Sequence, residues 1–195
     1  MQRGWRTMRL KHLEKSIYEA PIVKKGEYDY VIHPITDGVP CITPELLKEV
    51  SDEMKKHIKV YGKIDRIVTM EAMGIPLASA LSLDLGIPFT IIRKREYGLL
   101  GEVTVEQVTG YSKSKLYING LKKGDTIVIV DDVLSTGGTL RAVLSVLNNM
   151  KVIIKAVCIA INKGSHLKEI SKEYKVPIIP IVTIDVVNGK VVIES

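Results

Sequence analysis

Two adjacent carboxylates, Asp131 and Asp132, follow a short apolar run and precede a turn of small and hydroxyl residues. The apolar residues 127–130 are typical of a buried parallel strand. The turn consists of Ser135, Thr136, Gly137, Gly138 and Thr139. Its backbone N–H groups and hydroxyls suit a phosphate monoester, and the amphipathic segment behind it predicts a helix N-terminus that favours the same group. With carboxylates placed to reach vicinal hydroxyls, the pattern indicates a site for a phosphorylated ribose at the carboxyl end of a sheet.

This order of residues resembles the motif by which type I phosphoribosyltransferases bind 5-phosphoribosyl 1-diphosphate (PRPP). The resemblance implies that the turn binds the 5′-phosphate, and that Asp131 and Asp132 are catalytic residues that hold the ribose hydroxyls. It also implies Mg²⁺ as a cofactor, held mainly through PRPP without a direct protein ligand. An ordinary strand–turn–helix junction would not require paired aspartates. A P-loop would carry lysine where Gly138 stands.

The composition is that of a single globular domain over residues 1–195, of which 46% are hydrophobic. No apolar run is long enough to span a bilayer, and the N-terminus lacks a signal-peptide core. The two cysteines, Cys41 and Cys158, favour a reduced cytoplasm over a disulfide framework. The net charge of +6 comes from lysines scattered among acidic residues, which favours a solvated surface over nucleic-acid binding.

Alternating strand and helix patterns predict an α/β fold with a central, mostly parallel sheet flanked by helices. Strands are predicted over 64–70, 87–92, 127–130, 152–161 and 178–184, and helices over 44–58, 77–85, 140–147 and 166–174. Pro180 suggests that the strand around it lies at an edge or starts irregularly. Asn188-Gly189 predicts a terminal hairpin. Residues 93–114 show little periodicity and predict a long flexible loop.

A second candidate site follows the strand predicted over 64–70. It comprises Glu71, Ala72, Met73 and Gly74, a small-residue turn whose N–H groups can face a diphosphate. Beside the first motif it resembles the diphosphate-binding loop of purine phosphoribosyltransferases. That family often has a cation near the position of Met73. The resemblance therefore assigns more of the diphosphate binding to Arg93 and Lys94, at the start of a loop that resembles the lid of adenine-type enzymes.

The base used by the protein is harder to infer. Adenine-specific relatives usually carry glutamate before a tyrosine in the return of the loop, where this chain has Gly110. Hypoxanthine-guanine enzymes usually carry aspartate at the position of Ser135. Lys163 lies where oxopurine-using relatives have a lysine that donates to the 6-oxo group. An ammonium has donors and no acceptor, so it favours hypoxanthine or guanine over adenine.

The N-terminal segment, about residues 1–42, is expected to form a hood over the base, with Ile32 and Val39 in contact with the purine. His33 is expected to be structural. Overall the chain most resembles the archaeal hypoxanthine/guanine phosphoribosyltransferases, which implies purine salvage by a homodimer that uses PRPP and an oxopurine. An adenine or xanthine phosphoribosyltransferase and a non-catalytic PRPP-binding regulator remain open alternatives. Translation could start at Met1 or at Met8.

Overall fold

The computed structural model describes residues 10–26, 28–109 and 112–194, with only the backbone described for residues 25, 28, 107–109 and 112–114. The elements in chain order are α1 (Lys11–Tyr18), β1 (Ile22–Lys25), β2 (Tyr28–Val31), α2 (Pro34–Asp37), α3 (Pro44–Lys59), β3 (Arg66–Met70), α4 (Gly74–Leu85), β4 (Phe89–Ile92), β5 (Val103–Thr109), β6 (Ser112–Ile118), β7 (Thr126–Leu134), α5 (Gly138–Asn149), β8 (Ile153–Asn162), α6 (Leu167–Tyr174), β9 (Ile178–Val187) and β10 (Lys190–Glu194). The predictions that concern Met1, Met8, Gly110 and Tyr111 lie outside the described residues.

A six-stranded sheet forms the centre of the protein, with strand order β10-β9-β8-β7-β3-β4. All neighbouring strands pair in parallel except β9 and β10, which pair antiparallel. This confirms the predicted α/β fold with a mostly parallel sheet. Because the parallel strands end at one edge of the sheet, the residues that follow β3, β4, β7 and β8 are brought to the same side of the molecule.

The central strand β7 is buried on both faces, as its continuous apolar sequence predicts. Val128 and Val130 belong to the hydrophobic core formed with α1, α3 and α4. Ile127 and Ile129 point to the opposite core, which α5, α6 and the β5–β6 hairpin cover. Successive side chains of a strand alternate between faces, so this one segment anchors both helical layers.

The helix predicted from residue 44 is confirmed together with its N-cap. The Thr43 hydroxyl accepts a hydrogen bond from the Leu46 N–H at 3.3 Å, and Pro44 occupies the first helical turn. The next helix, α4, begins at Gly74, three residues before the predicted start at 77. The earlier start places its N-terminus directly behind the Glu71–Met73 turn.

The prediction of a loop throughout residues 93–114 is wrong. β5 and β6 form an antiparallel hairpin, and the irregular segment between β4 and β5 is confined to residues 94–102. In β5, Val103 and Val105 alternate with Thr104 and Glu106, which is the period of a strand with one buried face. Val105 is fully buried against the core. Because polar residues separate the valines, this alternation gives only a weak strand signal in the sequence.

At the carboxyl terminus, β9 lies between β8 and β10 and is not an edge strand as a whole. Of the two alternatives predicted from Pro180, an edge position or an irregular start, the first holds only for the early part of β9. Pro180 is opposite Ile159 of β8, whereas β10 pairs with the later part of β9, residues 183–187. On the side of β9 that faces β10, no described strand pairs with Pro180, so no strand hydrogen bond is lost through the N–H that proline lacks. The predicted hairpin is confirmed, with Asn188 and Gly189 both at positive φ (52° and 71°).

The N-terminal segment contains a helix, α1, that the sequence did not predict, together with a β1–β2 hairpin and the single turn α2. Helix α1 spans only two turns, and Leu10 provides no side-chain cap. Its order depends on Leu13 and Ile17, which are fully buried against the main core. No helix in the described part of the chain is long and apolar enough to cross a bilayer.

Candidate active site

A cavity of about 250 Å³ lies beyond the carboxyl ends of β3, β7 and β8. Its lining comprises Met70, Glu71, Asp131, Asp132, Val133, Leu134, Ser135, Thr136, Gly137, Gly138, Thr139, Leu140 and Ile159. The structure therefore brings the two predicted catalytic carboxylates and the whole predicted phosphate turn to one cavity. Their arrangement follows from the sheet, because the strand, the turn and the N-terminus of α5 are consecutive in the chain.

Gly137 shapes the phosphate turn in two ways. Its φ is +77°, and it precedes the first residue of α5. A Cβ at this position would collide with the δ-methyl group of Ile170 from α6. Positive φ and close packing both favour glycine, so this residue is needed to direct the N-terminus of α5 at the cavity.

A second close approach supports the turn from the side of β8. The backbone of Gly164 packs against the carbonyl of Ser135, and a Cβ at Gly164 would overlap that carbonyl oxygen. The Lys163 N–H donates to the Leu134 carbonyl at 2.7 Å. Asn162, which is 4% exposed, donates from Nδ2 to the Gly164 carbonyl at 2.9 Å. The segment after β8 therefore holds the phosphate turn in position.

Sequence reasoning did not identify the roles of Asn162 and Gly164. The available signal was an asparagine at the end of a buried strand that neighbours β7, and a glycine two residues later. Their contact with the phosphate turn depends on strand order, which the sequence alone does not provide.

The two carboxylates lie in a desolvated environment. Asp132 is 7% exposed, and burial raises its pKa to about 6. Burial and the neighbouring charge of Asp132 also raise the pKa of Asp131. A Cβ at Gly74 would lie 2.6 Å from Oδ1 of Asp131, so the N-terminus of α4 approaches this carboxylate closely. The pair retains a proton to higher pH than free aspartates would, and is poised to interact with positive charge.

The predicted diphosphate-binding residues are organised around Glu71. Its Oε2 accepts hydrogen bonds from Arg93 Nε at 2.9 Å and from the Lys94 N–H at 3.1 Å. The Lys94 N–H and the Arg93 guanidinium lower the pKa of Glu71. Glu71 lines the cavity, while Ala72 is exposed beside it after a cis peptide bond.

Met73, at the start of α4, approaches the hood rather than the cavity. Its Cε lies 3.5 Å from where a Cβ of Gly38 would stand. The position that often carries a cation in purine phosphoribosyltransferases is thus used here for an apolar contact between the diphosphate turn and the hood.

Besides the bond from the Lys94 N–H to Glu71, the irregular segment 94–102 is held by a second carboxylate. Glu102 accepts hydrogen bonds from the N–H groups of Tyr97 and Gly98, at 3.1 Å and 3.0 Å, and from Asn119 Nδ2 at 2.6 Å. The Asn119 amide is the main cause of a lowered pKa at Glu102. The segment leads directly out of β4, so these bonds shape the chain that follows Arg93.

The predicted base-binding residues do not share one surface. Lys163 donates from Nζ to the Val31 carbonyl at 2.9 Å and lies near the cavity carboxylates, since the charge of Asp132 acts on its pKa. Ile32 and Val39 instead line a separate cavity of about 390 Å³ between α1, the hood and the start of α3. The structure thus places Lys163 within reach of the charge of Asp132, and the two apolar residues at a separate cavity.

His33 is buried within the hood, as its expected structural role requires. The Ser16 hydroxyl lies 2.8 Å from Nε2, and Nδ1 accepts a hydrogen bond from the Ile35 N–H at 3.2 Å. Burial lowers the pKa of His33 to about 4, so the imidazole is neutral at physiological pH. Its ring nitrogens are engaged in holding α1 and α2 together.

Comparison with known proteins matches this geometry to a family. The phosphoribosyl transferase domain matches residues 42–191. The hypoxanthine/guanine phosphoribosyltransferase of Methanobacterium paludis is 54% identical over 183 residues, which cover 94% of this chain and 95% of that protein. The hypoxanthine/guanine phosphoribosyltransferase of Methanocaldococcus infernus is 50% identical over 182 residues, which cover 93% and 99%.

Solved structures of similar fold include the adenine phosphoribosyltransferase of Saccharomyces cerevisiae, with a TM-score of 0.72 and 21% sequence identity, covering 88% of this chain and 97% of that one. The adenine phosphoribosyltransferase of Trypanosoma brucei has a TM-score of 0.71 and 18% identity, covering 92% and 81%. At these identities the likeness establishes the fold. Together with the archaeal relatives, it shows that this chain belongs to the type I phosphoribosyltransferases, within the family of archaeal hypoxanthine/guanine phosphoribosyltransferases.

Proposed function

We propose that this protein is a purine-salvage enzyme that transfers the 5-phosphoribosyl group of PRPP to hypoxanthine or guanine, giving IMP or GMP and diphosphate. The observation that carries the proposal is the cavity lined jointly by Asp131, Asp132 and the turn 135–139, with Lys163 on the adjoining segment. Relatives named for the same activity, at about half identity over nearly the whole chain, support it.

The phosphate turn would bind the 5′-phosphate through backbone N–H groups and hydroxyls at the N-terminus of α5. Asp131 and Asp132, beside it, would accept hydrogen bonds from the ribose hydroxyls. Two charge-assisted hydrogen bonds to adjacent hydroxyls fix the sugar ring, and therefore the direction in which its anomeric carbon faces.

In the transfer, the bond between C1′ and the diphosphate oxygen breaks, and its electron pair leaves with the diphosphate. A ring nitrogen of the purine bonds to C1′, and the proton that this nitrogen carried passes to solvent water. Positive charge that develops on the sugar is stabilised by Asp131 and Asp132, whose burial strengthens the interaction. Arg93 and the N–H groups of the 71–74 turn would receive the negative charge of the leaving group. Positioning is the main contribution, because serine occupies position 135, where related enzymes have aspartate.

The carboxylates of this cavity suit Mg²⁺ if PRPP supplies most of the oxygen ligands of the ion. No cluster of three or more His, Cys, Asp or Glu side chains suited to a metal occurs among the described residues, and Mg²⁺ commonly retains water and substrate oxygens. Asp131 and Asp132 would then support the ion through the ribose hydroxyls they hold. When bound, the ion would neutralise charge on the departing diphosphate.

Lys163 would select the base by donating to the 6-oxo group, since an ammonium cannot accept a hydrogen bond from the 6-amino group of adenine. The purine contacts predicted for Ile32 and Val39 are not part of this proposal, because both residues line a separate cavity away from Lys163. A homodimeric, cytoplasmic enzyme that folds as one domain completes the proposal. Light scattering on the purified full chain at assay concentration tests the dimer.

Diphosphate release dependent on PRPP and Mg²⁺, with hypoxanthine, guanine, adenine, xanthine and orotate offered separately, tests the function. We expect turnover with hypoxanthine and guanine. Lys163→Ala should raise KM for these bases, while Lys168→Ala, an exposed lysine of α6, serves as the matched control. An enzyme that prefers adenine, or that binds PRPP and turns over no base, would contradict the proposal.

A further inference from the structure

The ammonium group of Lys163 is held by the hood strand β2. Nζ donates to the Val31 carbonyl at 2.9 Å and lies 5.4 Å from the centroid of the Tyr30 ring. An ammonium has three donors, of which the carbonyl engages one and the ring face attracts the charge from a second side. The strand therefore restricts the direction in which the remaining donor can point.

Asp37, at the end of α2, fixes the position of the Tyr30 ring. Its Oδ1 accepts a hydrogen bond from the Tyr30 hydroxyl at 2.7 Å, and its Oδ2 accepts one from the His33 N–H at 2.9 Å. The hydroxyl of Thr36 also donates to Oδ2. A carboxylate with these partners has a defined position, and through the phenol it sets the position of the ring beneath Lys163.

The carboxylates around Lys163 favour the protonated form of its side chain. Burial lowers its pKa, and the charges of Asp37 on α2 and Asp132 on β7 oppose that change, with Asp37 the larger of the two. His33, another titratable group that interacts with this lysine, has a pKa of about 4 and is neutral where the enzyme works. Asp37 is thus a source of favourable charge on the hood side of the ammonium.

We propose that Asp37 is a positioning residue for purine recognition, which holds the Lys163 ammonium in place for a 6-oxo group through Tyr30 and through its own charge. The inference rests on the proposed function, in which Lys163 donates to the base. It adds that the choice between a 6-oxo and a 6-amino purine depends on a hood carboxylate that itself need not touch the base.

IMP and AMP provide the direct probe, because they share the phosphoribosyl group and differ at position 6 of the base. Their dissociation constants would be measured by calorimetry from pH 6 to pH 10 with the full chain. Ionisation of the nucleotides is common to all variants, so only differences between variants are interpreted. The wild-type protein should prefer IMP, and the preference should decline at alkaline pH as Lys163 loses its proton.

Asp37→Asn should reduce the preference for IMP at pH 8 by about tenfold, the loss expected of roughly one charge-assisted hydrogen bond. It should also move the alkaline midpoint to lower pH, because the ammonium loses a favourable charge. Asp29→Asn is the matched control: it removes one negative charge from β2, and Asp29 is not among the charges that act on Lys163. It should change neither the preference for IMP nor the alkaline midpoint. A loss of hood stability alone would weaken IMP and AMP equally without moving the midpoint.

Lys163→Ala distinguishes base recognition by Lys163 from the positioning role of Asp37. If this variant keeps the wild-type preference for IMP, base recognition by Lys163 is wrong. If Lys163→Ala abolishes the preference while Asp37→Asn changes neither the preference nor the midpoint, the role of Asp37 alone is overturned. Should Asp37→Asn not fold, Tyr30→Leu removes the ring face and must lower the preference for IMP; an unchanged preference would refute the inference.

Discussion

Arg93, which directly follows β4, donates from Nε to Oε2 of Glu71, which directly follows β3, across 2.9 Å. The Lys94 N–H donates to the same oxygen at 3.1 Å. The cation expected to bind the diphosphate is thus paired with a carboxylate that lines the cavity. An incoming diphosphate would compete with Glu71 for the guanidinium, so we expect binding of PRPP to be coupled to rearrangement of this ion pair.

We expect Arg93→Ala to raise KM for PRPP and to weaken product inhibition by diphosphate, each about tenfold, since a hydrogen bond to a charged group contributes roughly 1.5–3 kcal/mol. Initial-rate kinetics with PRPP and diphosphate varied would measure both. Arg95→Ala is the matched control: Arg95 lies over the Tyr97 ring, 5.7 Å from its centroid. Equal effects of the two substitutions would argue against a specific role for Arg93.

Asp132→Asn should lower kcat by about 10²–10³, the usual cost of removing a preorganised electrostatic stabiliser. The side chain keeps its size, and an amide at this buried position avoids the cost of a desolvated charge. Thermal stability at pH 7 should therefore be maintained or increased. Steady-state turnover and thermal unfolding, with the exposed Asp185→Asn as control, would be compared. A folded Asp132→Asn protein with near-normal turnover is incompatible with the proposed mechanism.

Gly164→Ala should disturb the phosphate turn without altering any group that binds phosphate. The added methyl group would overlap the backbone of Ser135, which cannot rotate away as a side chain would. We expect a loss of about 1–3 kcal/mol in the free energy of unfolding and a higher KM for PRPP. Chemical denaturation and kinetics would be compared with Ser165→Ala, an exposed neighbour. Unchanged values would mean that the two segments can separate without consequence.

The buried His33 should make the protein sensitive to acid. Its pKa is about 4 in the folded protein and 6.5 when unperturbed, so the unfolded chain binds the proton more readily. The stabilisation from a neutral buried imidazole is complete above pH 6.5 and is lost as pH falls toward 4, on the order of 3 kcal/mol. His33→Gln should remove this part of the acid dependence, whereas His57→Gln, on the surface of α3, should not. Denaturant unfolding between pH 4 and pH 7 measures the difference.

The phosphate-site motif could be predicted from sequence because its parts are consecutive. A buried strand, a turn of small residues and a helix N-terminus follow one another between residues 126 and 139. Local chain geometry is sufficient to bring them together. The sequence predicted that the strand ends at residue 130, but β7 continues to Leu134 and includes both carboxylates. The order of the strands in the sheet cannot be inferred from contiguous residues. The packing of Gly164 against Ser135 depends on that order and was therefore not predicted.

Weak local signals explain the other differences. β5 and β6 carry polar and charged residues between their apolar ones, and they become strands by pairing with each other over Val105 and Leu116. α1 lacks a cap and is ordered by burial of Leu13 and Ile17. In each case packing decides a conformation that propensity leaves open.

The sequence by itself determined the fold class and the closeness of Asp131 and Asp132 to the turn 135–139, because periodicity and contiguous motifs express local physics. Only the tertiary structure decided which distant groups act on them. The contact of Lys163 with Val31 spans 132 positions, and the pairing of Arg93 with Glu71 joins the ends of neighbouring strands. Such contacts depend on strand order and on the closure of the hood, which arise from long-range packing and leave no periodic pattern in the chain.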